Sequence, residues 1–341
     1  MRIIADQNIP YLQGVLEPYA EVAYLPGAAI GPADVRDTNA LIVRTRTVCD
    51  ARLLEGSHVR FIGTATIGYD HIDLDYCRVH DIGVAIAAGC NSRGVLQYVA
   101  AVLAAWSRRT GRAPHEMTLG VVGVGHVGSL VADYAARWGF RVLRCDPPRA
   151  RCQGGAGFVP LDRLLAAADV VTLHVPLVRG GTDGTADMAS DAFFAGMKPG
   201  ALFVNSSRGE VVCEDALKRA LRGNLGGCVI DTWRNEPGID RELLDMAWYA
   251  TPHVAGYSVQ GKANGTATVV DALARRFGLP LADWYPQGVC RTVPDPDLTW
   301  DGMCRTIGSH FDIAAESERL RRRPGAFEEL RNHYNYRTEY F

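Results

Sequence analysis

A glycine-rich turn near the middle of the chain has the spacing of a phosphate-binding loop. It reads Gly123-Val124-Gly125-His126-Val127-Gly128, between the apolar run 117–122, which predicts a buried parallel strand, and residues 129–138, which predict a helix ending at Gly139. The first glycine permits a tight turn, the second lets the backbone approach a pyrophosphate, and the third lets the helix pack closely on the strand. Because the helix also presents unpaired N–H groups, the turn favours dinucleotide binding over a plain glycine turn.

An acidic residue follows this turn at the distance expected of a ribose ligand. Residues 141–145 predict a second strand, and Asp146 comes directly after it, about 18 residues beyond Gly128. Its negative charge would repel a 2′-phosphate, so Asp146 favours NAD over NADP. Arg144 and Arg149 lie close enough in sequence to temper that preference.

Three further polar residues lie where predicted strands end. They are Arg208, Glu236 and His253, and the carboxyl ends of strands in an open α/β sheet are where ligands bind. Taken singly, each also fits a structural role. The histidine follows a proline in a loop, the arginine precedes a glycine, and the glutamate precedes a proline, which often begins a turn.

Composition limits the kinds of partner that the chain can have. It has 341 residues, 48% of them hydrophobic, which predicts two domains with a sizeable core and leaves room for a smaller appendage. A net charge of −2 gives no electrostatic footprint for nucleic acid. The one basic run, at 319–323, has glutamates around it and is typical of a solvated or dimer-contact helix face.

The cysteines and the apolar stretches argue against disulfide-rich, metal-binding, secreted and membrane proteins. The nine cysteines form no CxxC pair, which argues against a metal site and against disulfides, and favours reduced thiols in a cytoplasmic protein. The first residues predict a strand rather than a signal peptide. No apolar stretch of about 18 residues is free of charges, so no membrane span is expected.

Alternating apolar runs predict two parallel α/β units. Five short strands are expected in the first unit, at 3–5, 22–25, 41–43, 61–63 and 84–86. Asn91 or Ser92 then caps a long helix that runs to about Arg109. After the glycine turn, four more strands are expected at 170–174, 201–205, 228–231 and 248–250, and a returning helix at about 261–279.

The order of these motifs resembles the D-isomer-specific 2-hydroxyacid dehydrogenase family. The resemblance covers almost the whole chain and includes the segments 174–177 and 197–200 as well as the glycine turn. It implies oxidation of a 2-hydroxy acid, with the hydride passing to NAD. His253 is then the base for the hydroxyl proton. Glu236 fixes the tautomer of the imidazole and stabilises the imidazolium. Arg208 binds the substrate carboxylate and polarises the carbonyl oxygen.

The resemblance also implies a set of cofactor contacts, with Asp231 at the nicotinamide carboxamide. The expected cofactor-binding residues are Gly123, Gly125, His126, Val127, Gly128, Asp146, His174, Val175, Ser206, Ser207, Arg208, Asp231 and Gly256.

Further stretches are similar to a subgroup of the family that acts on a small phosphorylated 2-hydroxy acid in vitamin B6 (pyridoxine) biosynthesis. These stretches are 63–73, 253–258 with 261–263, 310–313 and 327–331. The cations and hydroxyls of the run 44–47 suit a phosphate, although a solvated loop is the alternative for this run, and local packing is the alternative for Thr66 and Tyr257. The expected substrate-binding residues are Arg44, Thr45, Arg46, Thr66 and Tyr257.

The resemblance predicts a fold of two doubly wound parallel-sheet, Rossmann-like domains with an active-site cleft between them. Residues 1–91, completed by about 258–285, would form a substrate-binding lid domain, and residues 92–257 the NAD-binding domain. Residues 286–341 would form a small dimerisation domain, because their apolar side chains need a partner surface. Two other functions stay open. One is a dehydrogenase for another hydroxy acid, such as phosphoglycerate, and the other is an NAD(H)-sensing scaffold on the same fold.

Overall fold

The computed structural model describes residues 1–341 as two compact units. The first unit comprises Met1–Asn91 and Ser258–Thr292, and the second comprises Ser92–Tyr257 and Val293–Phe341. The strands are β1 (Arg2–Asp6), β2 (Glu21–Leu25), β3 (Ala40–Val43), β4 (Phe61–Thr64), β5 (Gly83–Ile86), β6 (Thr118–Val122), β7 (Arg141–Cys145), β8 (Val170–Leu173), β9 (Leu202–Asn205), β10 (Gly227–Ile230) and β11 (Tyr249–Ala250).

Helices lie between most of the strands, as in an α/β protein. They are α1 (Pro32–Val35), α2 (Ala51–Leu54), α3 (Leu74–Val79), α4 (Ser92–Thr110), α5 (His126–Arg137), α6 (Pro147–Gln153), α7 (Leu161–Ala167), α8 (Asp191–Gly196), α9 (Glu214–Arg222), α10 (Arg241–Met246), α11 (Val259–Phe277), α12 (Trp300–His310), α13 (Ile313–Arg322) and α14 (Phe327–Asn332). Short 3-10 turns lie at Gly27–Ala29, Pro114–Glu116, Gly209–Val211 and Pro324–Ala326.

The first unit contains a five-stranded parallel sheet in the order β2-β1-β3-β4-β5. Both of its faces are covered, since one apolar cluster includes Val269 and Leu273 of α11 and the other includes Leu53 of α2 and Cys77 of α3. Burial on both faces explains why these strands are continuous apolar runs. The strand order reverses between β1 and β3, and the turn after β3 is the predicted phosphate-binding run 44–47. A reversal point of this kind is where open α/β sheets bind ligands.

The second unit contains a six-stranded parallel sheet in the order β11-β10-β9-β8-β6-β7. Helices α4 and α5 cover one face, and α7, α8 and α9 the other. The order reverses between β6 and β8, and β6 leads into the glycine turn. The predicted fold of two parallel-sheet α/β domains is therefore confirmed.

The C-terminal residues pack within the second unit. Met303, Ile307 and Phe311 join the core on the side of α4, while Leu320 and Phe327 join the core on the opposite face of the sheet. The expectation that the apolar side chains of this tail need a partner surface is therefore wrong, because the rest of their own unit buries them. No helix of the structure combines the length and the apolarity that crossing a membrane requires.

Candidate active site

The geometry of the glycine turn explains why glycine occupies each of its three positions 123, 125 and 128. Gly123 has a φ of +82°, and a Cβ there would lie 2.6 Å from the carbonyl oxygen of His174. A Cβ on Gly128 would lie 1.9 Å from the carbonyl oxygen of Gly123, so only glycine lets α5 approach the turn this closely. A Cβ on Gly125 would meet nothing within 4 Å, and this open space is where a ligand could approach the backbone. Helix α5 begins at His126, three residues earlier than predicted, because the turn leads directly into its first helical turn.

The residues around this turn fit the pyrophosphate of a dinucleotide. No side chain caps the N-terminus of α5, so its first N–H groups face the open space beside Gly125. The Ser206 hydroxyl, after β9, is buried and has no hydrogen-bond partner in the protein. An unpartnered buried hydroxyl is costly unless a ligand completes it.

Asp146 lies directly against the glycine turn. One of its carboxylate oxygens accepts from the Val124 N–H at 2.8 Å, and the other accepts from the Arg149 N–H at 3.0 Å and so caps α6. The two arginines that were expected to temper NAD preference are both engaged. Arg144 pairs with Asp133 at 2.9 Å, and Arg149 donates to the Val124 carbonyl and to Ser129.

Replacing Asp146 should weaken NAD binding and relax discrimination against NADP. Asp146→Asn keeps an amide oxygen that can cap α6, but it loses the charge and the second acceptor, which bonds to the Val124 N–H. Charge-assisted hydrogen bonds are worth about 1.5–3 kcal/mol, so the Kd for NAD should rise roughly 10- to 100-fold. Titration with the reduced forms, NADH and NADPH, followed by nicotinamide fluorescence, measures this effect. Asp133→Asn serves as an exposed control, and a native protein that prefers NADP would contradict the assignment of Asp146.

His174 follows β8, and its backbone carbonyl lies close to Gly123. Its Nε2 lies 3.1 Å from the Thr172 hydroxyl. Burial lowers the pKa of His174 to about 3, so the imidazole is neutral at physiological pH. A neutral ring beside the expected cofactor adds no charge to the site.

His253 and Glu236 form a close pair. The Nδ1 atom of His253 lies 2.9 Å from Oε2 of Glu236 and 3.1 Å from Oε1. His253 comes from the loop after β11, and Glu236 from the loop after β10, so neighbouring parallel strands bring them together. The His253 backbone has a φ of +56°, in the left-handed region that non-glycine residues seldom adopt. Strain of this kind concentrates at functional sites.

The Glu236 carboxylate has two other contacts in the protein. Its Oε1 accepts from the Trp233 N–H at 2.9 Å, and its Oε2 lies 3.5 Å from Nη1 of Arg331. Burial raises the pKa of Glu236, but His253 and Arg331 together lower it by a larger amount. The pKa of Glu236 therefore lies below its ordinary value. The carboxylate is therefore charged at neutral pH, which favours a donated hydrogen bond from Nδ1 of His253.

Asp231 fixes the loop that carries His253. Its fully buried carboxylate accepts from the Thr251 hydroxyl at 2.6 Å, the Val254 N–H at 2.8 Å and the Ala255 N–H at 3.0 Å. Burial raises the pKa of Asp231, partly offset by His253 and by these donors. The contact with a nicotinamide carboxamide that was expected of Asp231 stays a prediction.

Arg208 emerges from a turn that Asn205 organises. The Asn205 amide donates to the Arg208 carbonyl at 3.0 Å, while its oxygen accepts from the Ser207 N–H at 3.1 Å and hydroxyl at 2.8 Å. The guanidinium is half-buried, and its Nη1 donates to the Ser207 carbonyl at 2.8 Å. The role of the buried Asn205 in shaping this turn was not predicted, although Asn205 ends a predicted strand.

Four of the expected substrate-binding residues, Arg44, Thr45, Arg46 and Thr66, lie in two turns of the first unit. Arg44 is held by Asp6, whose carboxylate is fully buried, through bonds of 3.0 and 3.3 Å. Thr45 and Arg46 are exposed in the same turn. Thr66 bonds to the Thr64 hydroxyl at 2.8 Å and donates to the Gly68 carbonyl at 3.1 Å. The pairing of Arg44 with Asp6 was not visible in the sequence, because 38 positions separate the two residues.

Comparison with known proteins agrees with this geometry. The family model described as "D-isomer specific 2-hydroxyacid dehydrogenase, NAD binding domain" matches residues 89–255. A solved D-lactate dehydrogenase from Aquifex aeolicus, complexed with NAD and lactic acid, is similar with a TM-score of 0.68. It is 26% identical and covers 82% of this chain and 96% of its own. The chain belongs to the D-isomer-specific 2-hydroxyacid dehydrogenase family, whose NAD-dependent oxidoreductase fold it carries.

Its curated relatives narrow the resemblance. The erythronate-4-phosphate dehydrogenase of Bacteroides fragilis is 43% identical over 99% of this chain and 97% of that protein. The enzyme of the same name from Chromohalobacter salexigens is 39% identical over 100% of this chain and 92% of its own length.

Proposed function

We propose that the protein oxidises 4-phospho-D-erythronate at C2 to 2-oxo-3-hydroxy-4-phosphobutanoate, with NAD, in the biosynthesis of pyridoxal 5′-phosphate. The observation that carries the proposal is the His253–Glu236 pair, with Nδ1 2.9 Å from the carboxylate, on the NAD-binding fold. Identity of about 40% to erythronate-4-phosphate dehydrogenases over nearly the full length supports this substrate.

His253 removes the proton in this mechanism. Since Nδ1 donates to Glu236, the lone pair of the imidazole is on Nε2, which accepts the proton of the C2 hydroxyl. The imidazolium that forms is stabilised by the Glu236 carboxylate, which is already ionised. The glycine turn 123–128 and Asp146 would hold NAD, which when bound would supply the acceptor for the C2 hydride.

Arg208 holds the substrate carboxylate. Its half-buried guanidinium carries five N–H donors in a planar fork, and Nη1 bonds to the Ser207 carbonyl. Two parallel donors suit a carboxylate, and they also stabilise negative charge on the C2 oxygen as the proton leaves. The turn built by Asn205 keeps this guanidinium at the carboxyl edge of the second sheet.

Arg44, Thr45, Arg46 and Tyr257 bind the C4 phosphate in this proposal, and Thr66 is a further substrate contact. Thr45 and Arg46 lie in the turn after β3, at the reversal point of the first sheet. The bond of Arg44 to the buried Asp6 fixes its guanidinium in place and leaves other N–H groups for the phosphate.

We expect the protein to be a cytoplasmic homodimer. All nine cysteines are free thiols, which supports a reducing compartment. Because the apolar core of the tail is buried within its own unit, any interface must use side chains that stay exposed there, such as Val293 and Tyr340. Sedimentation at micromolar concentration should show a dimer, and a monomer would contradict this expectation.

A panel of 2-hydroxy acids tests the proposed function. Turnover of 4-phosphoerythronate, erythronate, 3-phosphoglycerate and lactate is followed by nicotinamide absorbance, or with a 2-oxo acid as electron acceptor. The proposal expects 4-phosphoerythronate to be the best substrate. If 3-phosphoglycerate is best, the substrate assignment is wrong, and if none reacts while NAD binds, the chain acts as an NAD(H)-binding scaffold.

A further inference from the structure

One arginine of the C-terminal segment contacts both the partner of His253 and a residue expected to bind substrate. Arg331 lies in α14, and its Nη1 lies 3.5 Å from Oε2 of Glu236. Its Nε donates to the Tyr257 hydroxyl at 3.1 Å. Because a guanidinium holds its donors in one rigid plane, Arg331 fixes these two groups relative to each other.

Burial distinguishes Arg331 from the exposed arginines Arg319, Arg322 and Arg323 of the tail. The side chains of Arg331 and Glu236 are only 14% and 17% exposed, so solvent and salt screen their interaction weakly. Arg319, Arg322 and Arg323 are more than half exposed and pair with glutamates of the tail itself. Phe327, fully buried in the core of the second unit, anchors the start of α14.

The charged groups around Glu236 come from three different segments. His253 faces it from the loop after β11, and Arg331 faces it from α14. Glu328 lies 3.8 Å from Arg331 on the same helix, and Asp231 interacts with His253 from the end of β10. Both His253 and Arg331 therefore lie within 4 Å of the Glu236 carboxylate.

We propose that Arg331 is a positioning residue of the reaction, which holds the Glu236 carboxylate against His253 and orients the Tyr257 hydroxyl for substrate. The C-terminal helix is then part of the active site and not only a packing element. This inference rests on the proposed function, because it assigns proton transfer to His253 and Glu236.

Kinetics of Arg331 variants as a function of pH test the proposal. Arg331→Gln should lower kcat/KM for 4-phosphoerythronate on the order of tenfold, as expected for coupled neighbours. It should also move the acidic limb of the pH profile to higher pH. Arg331 lowers the pKa of Glu236, so without the cation this carboxylate takes up a proton more readily and activity is lost at a higher pH.

A conservative variant separates the two contacts. Arg331→Lys keeps the positive charge but lacks the planar fork. The acidic limb of its pH profile should therefore return to the native pH, while its KM should exceed the native value because the contact with Tyr257 is lost. Arg323→Gln is the matched control, because this exposed arginine of the same segment pairs only with Glu329. Its kinetics should equal those of the native protein.

A second mutation shows whether Arg331 acts through Glu236. In a Glu236→Gln background, Arg331→Gln should no longer change kcat. An undiminished loss in that background would overturn the proposal and leave Arg331 with a purely structural role. The proposal would also be overturned if Arg331→Gln binds NAD and keeps both the native KM and the native position of the acidic limb of the pH profile. If Arg331→Gln does not fold, Arg331→Lys decides, and a native KM in that variant would overturn the proposal. Failure of the proposed function is distinct, since the native protein would then not turn over 4-phosphoerythronate.

Discussion

Replacing His253 by alanine should lower kcat by about 10²–10⁴-fold, the usual contribution of general acid–base catalysis, while NAD binding stays nearly unchanged. The loss is expected because His253 is the residue beside Glu236 that can act as a base for the hydroxyl proton, whereas the Arg331 guanidinium cannot. The imidazole bonds to Glu236 at 2.9 Å, while the nucleotide-binding turn is built from other residues, Gly123 to Gly128. Steady-state kinetics and a fluorescence titration of NADH measure the two quantities separately.

The backbone of His253 calls for a second variant. Its φ of +56° is strained for alanine, so His253→Ala also disturbs the loop that Asp231 holds. Asparagine tolerates this region better and cannot act as a base, so His253→Asn should show the same loss of kcat without the strain. Near-native turnover by either variant would refute the mechanism.

Removing the phosphate from the substrate should lower kcat/KM by at least about a hundredfold. A C4 phosphate carries up to two negative charges, and the turn after β3 offers cations and hydroxyls. Each charge-assisted hydrogen bond is worth roughly 1.5–3 kcal/mol, and 1.4 kcal/mol corresponds to a factor of ten. Two lost bonds therefore account for the expected effect, and parallel kinetics with erythronate and 4-phosphoerythronate measure it.

Changing the substrate is a cleaner test than changing Arg44. Arg44→Ala should cause a fall of the same order, but it also leaves the fully buried Asp6 without its cation, which is destabilising. Thermal unfolding of Arg44→Ala must therefore accompany its kinetics. Arg208→Ala should instead impair both substrates, because both carry the carboxylate. Equal efficiency on the two substrates would reject the phosphorylated substrate while leaving the family assignment in place.

Local sequence patterns predicted the features that depend on short-range rules. The apolar runs at β1 and β6 predicted strands, since buried parallel strands are continuous apolar segments. The turn from Gly123 to Gly128 predicted the junction of β6 and α5, because only glycine permits those backbone contacts. Boundaries were less accurate, as the early start of α5 shows.

Long-range contacts could not be predicted in the same way. The Asp6–Arg44 and Glu236–Arg331 pairs join residues far apart in sequence, and no periodicity marks them. The apolar residues of the tail were correctly expected to need burial, but the pattern does not say which surface buries them. Arg337 is a further example. Its guanidinium donates to the Ala255 carbonyl at 2.5 Å and so supports the loop of His253 from the end of the chain.

The central claim is that this protein oxidises C2 of 4-phosphoerythronate with NAD. The most direct test uses substrate carrying deuterium at C2, with the native protein, NAD and a 2-oxo acid as electron acceptor, followed by mass spectrometry of all products. We expect 2-oxo-3-hydroxy-4-phosphobutanoate without the label, and the deuterium on the nicotinamide ring or on C2 of the reduced acceptor. Recovery of unchanged substrate, or a product that retains deuterium at C2, would contradict the claim.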